Sequence, residues 1–454
     1  MSTYLGEAKV TRIESEQDLW DYFGPFAKLR EAIRVGIEAE FFGIDRKTGL
    51  ALPFQGERGI ESVLRLLSEL FGYEQVHEGG NIIALKKGSN FVTLEPGGQV
   101  ELSAAPVGNV FEVEAQIKSF VDELRAVRSR LRGIEWLATG IQPFDRVANI
   151  HAIPKKRYEI MAEYLGGKGT LSHEMMKCTA SNQVNVDYLS EENAMANLKT
   201  VVGISSIATA MFANSSVSEG RPNGFLTRRL HIWNHTDPDR SGLLLDFTEE
   251  GKSFRDYLEY LFKMPMMFII RQGEWIPVRN LTFRNFIRDG YQGTRATFDD
   301  FQLHLSGAFP EVRLKQYLEI RGIDGQSPDL IPAAAAFWKG ILYNCKASEK
   351  AWNLVSFASR EDRMRLHQEV PVKGLKANLG GRPIFPIAQE LVEISCASLA
   401  QQKTRDETRD ECVFLSRIRE NIIKPQKTPA ETLLETWKAK KYNPSELIEY
   451  LSIG

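Results

Sequence analysis

The sequence predicts an α+β fold, in which strands with one polar face are covered by amphipathic helices. Two observations support this prediction. Several short stretches alternate apolar with polar residues, which is the pattern of a strand, and longer stretches between them repeat apolar residues at helical spacing. The 454 residues show no internal repeat, low-complexity tract or clear linker, so we expect one continuous unit with a large buried core.

The elements follow from these two periods. We expect a helix over 14–32, a strand over 35–44, a helix over 60–71, a strand near 82–86, a hairpin-like segment over 91–103 and a long helix over 111–131. Further along we expect helices over 156–165 and 191–213 on either side of a strand over 183–188. A strand carrying Glu319, helices over 256–262 and 333–343, a hinge at 424–428 and helices over 430–440 and 443–453 complete the prediction.

Four of the strand-like stretches carry ionisable or amide side chains at alternate positions. These side chains are Glu38 and Glu40; Glu95 and Glu101; Gln183, Asn185 and Asp187; Glu319 and Arg321. Alternate residues of a strand point to the same face, so within each stretch the acids and amides share one face. One such stretch alone is usually the solvated face of a sheet. Four stretches that supply mostly carboxylates indicate a bound cation, because clustered carboxylates repel one another unless a cation lies among them.

The expected cation is Mg²⁺, a hard ion that prefers oxygen ligands and substrate phosphates. Five carboxylates indicate two or more ions holding a polyphosphate, with Arg321 placed to neutralise phosphate oxygens, so the expected co-substrate is ATP. No Walker lysine motif or GxGxxG is present, so ATP would bind without a P-loop. The residues Pro96-Gly97-Gly98 between two of the acids indicate either a plain turn or a close approach to nucleotide.

Composition sets limits on partners and location. The chain is 43% hydrophobic with a formal net charge of −2, which does not indicate a nucleic-acid partner. The longest apolar run, 204–213, is too short to cross a membrane, and the first residues do not resemble a secretory signal. We therefore expect a cytoplasmic protein.

Motifs for other chemistries are incomplete. Cys178, Cys345, Cys396 and Cys412 are scattered without zinc spacing, and we expect them to be reduced. His173-Glu174 begins an HExxK rather than an HExxH, and the segment from Gly203 lacks the final glycine of a hydrolase elbow.

A polar segment over 215–242 contains four arginines, together with Phe225, Leu226 and Trp233, and a loop of this length is usually functional or disordered. We expect Arg229 and Arg240 to make fork-like pairs with a carboxylate or a phosphate. Arg221 and Arg228 are expected to be solvated, and the histidines to be structural.

Together these motifs resemble the plant-type glutamate–cysteine ligases, which also occur in bacteria and belong to the glutamine-synthetase-like carboxylate–amine ligases. The matching stretches are VGIEAEFFGI, LEPGGQVELSAAP, KKRYEIMAEY, QVNVDY, ANSSVSEGRPNGFLTRRLHIWNHTDPDRSG, FPEVRLKQYLEIRGIDG, VPVKGL and TPAETLLE. They follow the family's order over most of the chain. The resemblance implies a curved, mainly antiparallel sheet that forms an open funnel with helices outside, in a single catalytic domain over 1–454. The core motifs lie at about 34–325, and a C-terminal helical part lies at about 330–454.

The resemblance also implies the reaction. ATP phosphorylates the γ-carboxylate of L-glutamate, and the amine of L-cysteine attacks the acyl phosphate to give γ-glutamylcysteine, ADP and phosphate, the first step of glutathione synthesis. Phosphoryl transfer requires metal ions and cationic groups more than covalent help from the protein, which agrees with the residues present.

Site residues are carried over by position. The implied Mg²⁺ ligands are Glu38, Glu40, Glu95, Glu101 and Glu319. Arg321 and Arg240 are expected on the nucleotide side, with Gln183 and Asn185 in the same cavity, and Arg229, Arg321 and Glu319 are the expected catalytic residues. The expected substrate-binding residues are Arg229, His231 and Trp233 for glutamate, and Tyr158, Met161 and Tyr164 for cysteine.

One departure and three alternatives accompany this interpretation. Plant members have a cysteine where this chain has Ala180, with Cys178 two residues earlier, so the plant redox switch is not expected and the chain is a monomer or a homodimer. The alternatives are a γ-glutamyl ligase for another amine, a non-catalytic nucleotide-binding homologue and an ATP-independent metal hydrolase. All five acids are present, which argues against the second, and the third leaves Arg321 without a role.

Overall fold

A nine-stranded sheet forms the centre of the computed structural model, which describes residues 11–402 and 410–454. The strands are β1 (Val35–Asp45), β2 (Glu74–Glu78), β3 (Asn81–Lys87), β4 (Asn90–Leu94), β5 (Val100–Ser103), β6 (Ile134–Leu137), β7 (Ser181–Val186), β8 (Val217–Ser218), β9 (Arg221–Pro222), β10 (Ser241–Gly242), β11 (Phe268–Arg271), β12 (Glu274–Pro277), β13 (Phe309–Pro310), β14 (Val312–Leu314), β15 (Leu318–Asp324), β16 (Asn378–Leu379) and β17 (Arg382–Pro383).

The α-helices surround this sheet. They are α1 (Ile60–Phe71), α2 (Val110–Leu131), α3 (Lys156–Gly166), α4 (Ser172–Cys178), α5 (Glu191–Met211), α6 (Arg228–Trp233), α7 (Phe254–Lys263), α8 (Phe283–Asp289), α9 (Phe298–Leu305), α10 (Leu330–Leu342), α11 (Cys345–Asn353), α12 (Arg360–Lys373), α13 (Ile384–Gln402), α14 (Leu415–Ile418), α15 (Pro429–Ala439) and α16 (Pro444–Leu451). Short 3-10 helices lie at Glu16–Leu19, Gly24–Phe26, Arg30–Ala32, Leu245–Thr248, Gly374–Lys376 and Glu411–Phe414, and a π-helical turn lies at Arg419–Ile423.

The sheet is open and antiparallel. Its order is β14-β15-β7-β1-β5-β4-β3-β2, with β6 paired to β1 as the ninth strand. Each of these pairings is antiparallel. The expected α+β fold with a large antiparallel sheet and helices outside it is therefore confirmed.

The apolar face of the sheet forms the main core. Val35, Ile37, Ala39 and Phe41 of β1 are fully buried on this face. Helix α10 packs against β1 and β7, and all of its residues are buried. A helix whose residues are buried on every side must be packed against other elements on every side. Helices α2, α11 and α13 pack against the sides of α10 that do not face the sheet. The opposite, polar face of β1 is thus left to carry Glu38 and Glu40.

The N-terminal region differs from the predicted helix over 14–32. The structure has three short 3-10 helices there instead. Gly24 and Pro25 begin the second of these, and Pro25 cannot donate a backbone hydrogen bond inside a continuous helix. The prediction of one long helix is wrong for this reason. The predicted absence of a secretory signal concerns a segment whose first ten residues lie outside the described part of the chain.

The polar segment 215–242 is more structured than a loop. It contains the hairpin β8–β9 and the helix α6, whose first turn is capped by the side chain of Thr227. Buried Asp324 holds this segment, because its Oδ2 accepts from Ser215 Oγ at 2.7 Å and its Oδ1 accepts from Thr227 Oγ1 at 3.0 Å. These bonds fix the position of α6 beside the sheet.

The turn at Pro96-Gly97-Gly98 makes a close contact with protein rather than standing open. A β-carbon at Gly97 would lie 2.1 Å from the carbonyl oxygen of Lys177, at the end of α4. The backbone nitrogen of Glu95 donates to the carbonyl oxygen of Gln99 at 3.0 Å, which closes the turn. Glycine is therefore required here for packing against α4.

Two of the four cysteines differ from the expectation of free thiols. Cys396 of α13 and Cys412 of the 3-10 helix Glu411–Phe414 form a disulfide, whereas Cys178 and Cys345 are free. The pair has no spacing motif, since tertiary packing brings together two segments that are 16 residues apart. Among the described helices, none is long and apolar enough to cross a membrane.

Candidate active site

The strand register brings the predicted acids and amides together. Glu40 of β1 is opposite Glu101 of β5, and Glu38 is opposite Gln183 of β7. On the other side of β7, Asn185 is opposite Glu319 of β15. Four neighbouring strands therefore contribute to one polar patch, and Glu95 reaches the same patch from the turn after β4.

A cleft lies over this patch, and the space within it, open solvent included, is about 690 Å³. The predicted site residues that line it are Glu38, Glu40, Glu95, Glu101, Tyr158, Met161, Gln183, Arg229, Trp233 and Arg321. Glu319 and Asn185 lie just behind the lining. Glu319 accepts from Arg321 Nη1 at 3.1 Å, and Asn185 Nδ2 donates to Glu38 Oε1 at 3.1 Å.

Three of the acids are held close together under conditions that oppose ionisation. Burial and the proximity of Glu101 raise the pKa of Glu40 to about 7, despite hydrogen bonds from Ser181. Burial and the proximity of Glu38 raise the pKa of Glu101 to about 7. The pKa of Glu95 is also raised, by burial and by Glu40. This part of the patch carries more negative charge than its surroundings neutralise.

The other two acids are compensated by neighbouring cations. Burial opposes ionisation of Glu319, but Arg313, Lys315 and Arg321 hold the pKa of this carboxyl well below its ordinary value. Burial likewise opposes ionisation of Glu38, while Lys315 and the hydrogen bond from Asn185 help to lower its pKa. The patch is thus divided into a compensated side at β15 and an uncompensated side at β5.

The donor set fits a hard divalent cation. Within residues 11–402 and 410–454, no three His, Cys, Asp or Glu side chains already stand together as a metal site. The carboxylates Glu40, Glu95 and Glu101 nevertheless supply oxygen ligands whose mutual repulsion a cation would remove. The residues present are therefore those that Mg²⁺ selects.

Unpartnered N–H donors line the other side of the cleft. Arg157 Nε, Arg229 Nε and Trp233 Nε1 are buried and have no hydrogen-bond partner among the described residues. Buried donors without partners are costly, so an acceptor such as a carboxylate fits this wall. Arg157 was not predicted from the sequence as a site residue.

Arg229 is held in place by the structured segment before it. Its backbone nitrogen donates to Ser215 Oγ at 3.0 Å, and its Nη2 donates to the carbonyl oxygen of Arg321 at 2.9 Å. The guanidinium lies over the ring of Trp233, 5.8 Å from the ring centroid. Arg229 thus lines the cleft as a fixed side chain, and its buried Nε has no hydrogen-bond partner in the described chain.

Three predicted residues do not reach the cleft. Arg240 is buried and donates to Asp237 Oδ2 at 2.6 Å, to the carbonyl oxygens of Gly307 and Pro265, and to the hydroxyl of Tyr164 at 2.9 Å. Of the partners that the sequence left open, Arg240 takes a carboxylate and lies outside the lining of the cleft, so the structure does not support its expected cofactor contact. Tyr164 is occupied by the same arginine, and His231 stacks between Phe225 and His235 outside the lining.

A partly apolar wall adjoins the acids. Tyr158, Met161, Met175 and Met176 line it, and the hydroxyl of Tyr158 donates to the carbonyl oxygen of Leu94 at 2.5 Å. The ammonium of Lys155 lies over the ring of Tyr158, 5.1 Å from its centroid. Thioether and aromatic groups suit a polarisable side chain such as a thiol.

Arg313 and Lys315, which contact Glu319, were also missed from the sequence. Arg313 of β14 is opposite Glu319 of β15 in the register. The alternation V-R-L-K in the sequence was the available signal, because it places Arg313 and Lys315 on one face of a strand. Their approach to Glu319 depends on the hairpin, which the sequence does not reveal.

Comparison with known proteins identifies the family of this chain. The family model described as glutamate-cysteine ligase family 2 matches residues 34–448. Chloroplastic glutamate–cysteine ligase of Nicotiana tabacum is 36% identical over 429 residues, which cover 94% of this chain and 80% of that protein. The Arabidopsis thaliana enzyme is 35% identical with the same coverage.

Two solved structures share the fold. Glutamate–cysteine ligase from Francisella tularensis, in complex with AMP, has a TM-score of 0.57 at 12% identity and covers 92% of this chain and 87% of its own. A bifunctional glutathione synthetase from Pasteurella multocida has a TM-score of 0.55 at 11% identity, covering 96% of this chain and 53% of its own. The match of the family model over most of the chain, together with relatives above 30% identity, shows that this protein is a ligase that belongs to glutamate–cysteine ligase family 2.

Proposed function

We propose that the protein joins the γ-carboxylate of L-glutamate to the amine of L-cysteine, using ATP and passing through γ-glutamyl phosphate. The observation that carries the proposal is the composition of one cleft. A wall of carboxylates suited to Mg²⁺ faces buried donors of Arg157, Arg229 and Trp233 that have no partner in the described chain. Metal–phosphate binding and carboxylate binding are thus supported side by side.

In the first step, a γ-carboxylate oxygen of glutamate attacks the γ-phosphorus of ATP, and the bond to the bridging oxygen of the β-phosphate breaks to release ADP. When bound, Mg²⁺ neutralises the phosphate oxygens, and its ligands would be Glu38, Glu40, Glu95, Glu101 and Glu319. Arg321, bonded to Gln183 Oε1 at 2.8 Å, places a further positive charge beside these acids.

Glutamate requires a group that holds it at the acids. We assign its carboxylate contacts to Arg157 and Arg229, whose Nε atoms are unpartnered, with Trp233 Nε1 as a third donor. Arg157 is itself held by Ser306, through Nη1 to Oγ at 3.0 Å and Nη2 to the carbonyl oxygen at 3.3 Å. Fixed donors of this kind orient a substrate at little entropic cost.

In the second step, the amine nitrogen of cysteine attacks the acyl carbon, the bond from that carbon to the phosphate oxygen breaks, and the amine gives up a proton. The wall formed by Tyr158, Met161, Met175 and Met176 suits the thiol side chain of this acceptor. A different amine acceptor would use the same chemistry, so the acceptor is the part of the proposal that needs direct measurement.

The test is ADP release by the purified protein with Mg²⁺, ATP and L-glutamate, with L-cysteine, a panel of other amines, or no amine, and with product masses determined. Cysteine-dependent release with the mass of γ-glutamylcysteine supports the proposal. Dependence on another amine would replace cysteine as the acceptor but retain the acyl phosphate. The absence of ADP release with every acceptor tested would contradict ligation.

A matched pair of variants tests the metal ligands. Glu101→Gln is preferable to Glu319→Gln, because removing the Glu319 carboxylate would leave Arg313, Lys315 and Arg321 without their shared partner. Glu101→Gln should lose Mg²⁺-dependent ADP release, whereas the exposed control Glu74→Gln on β2 should retain it.

A further inference from the structure

Glu319 is the most heavily compensated acid of the site. Its carboxylate is fully buried, and Oε2 accepts from Arg313 Nε at 2.6 Å and Nη2 at 2.5 Å, and from Arg321 Nη1 at 3.1 Å. Its other oxygen, Oε1, accepts from Lys315 Nζ at 3.0 Å. Three positive side chains therefore contact this carboxylate, which the proposed function makes a Mg²⁺ ligand, and Glu38 is a second acid near Lys315 and Arg321.

The three cations are not held equally. Arg313 is almost fully buried and also donates through Nη1 to the carbonyl oxygens of Ser306 at 3.0 Å and Ala308 at 2.7 Å. Arg321 is shared with Gln183 Oε1 and lies beside the rings of Trp233 and Phe309. Both guanidinium groups are therefore anchored to parts of the fold other than Glu319.

Lys315 is held differently. It lies in the turn between β14 and β15, its ammonium is 5.1 Å from the ring centroid of Tyr317, and its side chain is 14% exposed, the largest exposed fraction of the three cations. A lysine ammonium is a compact charge on a flexible four-carbon chain, so it moves at lower cost than an anchored arginine.

A metal ion cannot be added to Glu319 without a change in this arrangement. A carboxylate whose oxygens already accept from three cations gains little from a fourth, and like charges crowded together repel. Lys315 does not line the cleft itself but contacts Glu319 directly behind the lining. Its ammonium, on a flexible chain, is the cation that could move from Oε1 to an oxygen of a metal-bound polyphosphate at the lowest cost.

We infer that Lys315 is a nucleotide-binding residue, which releases Glu319 Oε1 to the metal and takes a phosphate oxygen of the nucleoside triphosphate instead. This inference rests on the proposed function and adds a phosphate contact to it. Lys315 thus competes with metal for Glu319 when nucleotide is absent, and joins Arg321 on the phosphates when nucleotide is present.

The variant Lys315→Met should change two binding affinities in opposite directions. Binding of Mg²⁺–ADP, measured by titration calorimetry, should weaken by about 10- to 100-fold, the usual effect of losing one charge-assisted hydrogen bond. Binding of Mn²⁺ alone, measured by its electron paramagnetic resonance signal, should tighten because the competing ammonium is gone. A purely structural role would not move these two affinities in opposite directions.

Two further variants serve as controls. Lys315→Arg keeps the charge and should retain Mg²⁺–ADP binding much better than the methionine variant. Lys424→Met removes an exposed lysine that also pairs with a glutamate four residues away, Glu420 at 3.0 Å, and should change neither affinity. Thermal unfolding of each variant shows whether the fold is kept.

The outcomes separate this inference from the proposed function. If the wild-type protein binds Mg²⁺–ADP and Lys315→Met binds it equally well, the role of Lys315 is overturned and the ligase proposal stands. A parallel loss of Mn²⁺ and Mg²⁺–ADP binding in Lys315→Met also overturns the exchange. If the wild-type protein binds no Mg²⁺–ADP, both proposals fail.

Discussion

Glu40 of β1 and Glu101 of β5 are directly opposite each other across the antiparallel sheet, and both carboxylates are buried. Like charges at opposing positions of a strand pair are unfavourable, and burial adds to the cost of ionising either group. The protein therefore maintains an arrangement that weakens its own fold. A bound divalent cation would turn the same repulsion into affinity.

The first prediction is that Glu101→Gln stabilises the metal-free protein. The pKa of Glu101 is about 7 in the folded state against 4.5 in the reference state. The folded protein thus binds the proton of Glu101 more tightly than the unfolded chain does. The free energy of unfolding therefore falls as the pH rises from about 4.5 to about 7. At pH 8 without metal, the variant should gain about 1–3 kcal/mol in free energy of unfolding, measured by denaturant titration. Equal or lower stability than wild type would show that the opposing acids do not repel as inferred.

The second prediction concerns Arg229→Lys. Lysine keeps the charge but cannot supply the Nε donor and the planar fork together. Because Arg229 lines the cleft and its Nε has no partner in the described chain, we expect kcat/KM for glutamate to fall about 30- to 100-fold, while KM for ATP stays close to the wild-type value. Steady-state kinetics with each substrate varied in turn gives both quantities.

Its control is Arg228→Lys, on the same helix. Arg228 is half-buried and lies over the ring of Phe225, 4.9 Å from the centroid, rather than in the lining of the cleft. This variant should leave kcat/KM for glutamate near wild type. Equal losses in the two variants would mean that α6 was disturbed as a whole and would argue against a specific contact from Arg229.

The third prediction is a loss of stability in acid that depends on His304. This side chain is buried, stacks on Phe283 and bonds through Nε2 to the carbonyl oxygen of Leu261 at 2.8 Å. Burial lowers its pKa to about 3 from 6.5. The unfolded chain therefore takes up a proton first, and stability is kept above about pH 6.5 and lost as the pH falls toward 3.

His304→Gln tests this dependence. The free energy of unfolding of the variant, measured from pH 7.5 to pH 4.5, should decline less steeply than that of wild type, with a difference approaching about 1.4 kcal/mol per pH unit below pH 6. The exposed His173 serves as the control, since His173→Gln should keep the wild-type slope. Parallel curves for wild type and His304→Gln would mean that protonation of His304 is not coupled to unfolding.

The sequence predicted the acids of the site better than its cations. Alternation along a strand is a local property, so Glu38, Glu40 and Glu101 were assigned to one face correctly. Arg240 was expected to pair with a carboxylate or a phosphate, and the sequence alone could not show that its partner is the nearby carboxylate of Asp237. Arg157 and Arg313 were missed because their contacts with Ser306 and Glu319 exist only after α9, β14 and β15 pack together.

Helix and strand bounds show the same limit. The helices over 60–71, 111–131 and 191–213 were predicted almost as the structure has them, because long apolar periods leave little ambiguity. The 3-10 turns between Glu16 and Ala32 were read as one helix, since their apolar residues have nearly helical spacing. The disulfide was not expected either, because its two cysteines meet only through the packing of α13 on the 3-10 helix that follows.

The last prediction concerns that disulfide, between Cys396 and Cys412. The neighbouring Glu411 bonds the backbone nitrogen of Val110 at the start of α2 and the ammonium of Lys339 of α10, so the cross-link fixes a residue that ties two helices together. Closing a loop of about 15 residues contributes about 3 kcal/mol by loop-entropy estimates.

Cys412→Ser, or wild type with excess reductant, should unfold at a lower temperature, while KM values stay unchanged because no residue of α13 lines the cleft in the described structure. Cys345→Ser, which removes an exposed free thiol, should behave as wild type. If oxidised wild type and Cys412→Ser unfold at the same temperature, the cross-link does not contribute to stability, and the packing of α2 on α10 with the bonds of Glu411 is sufficient.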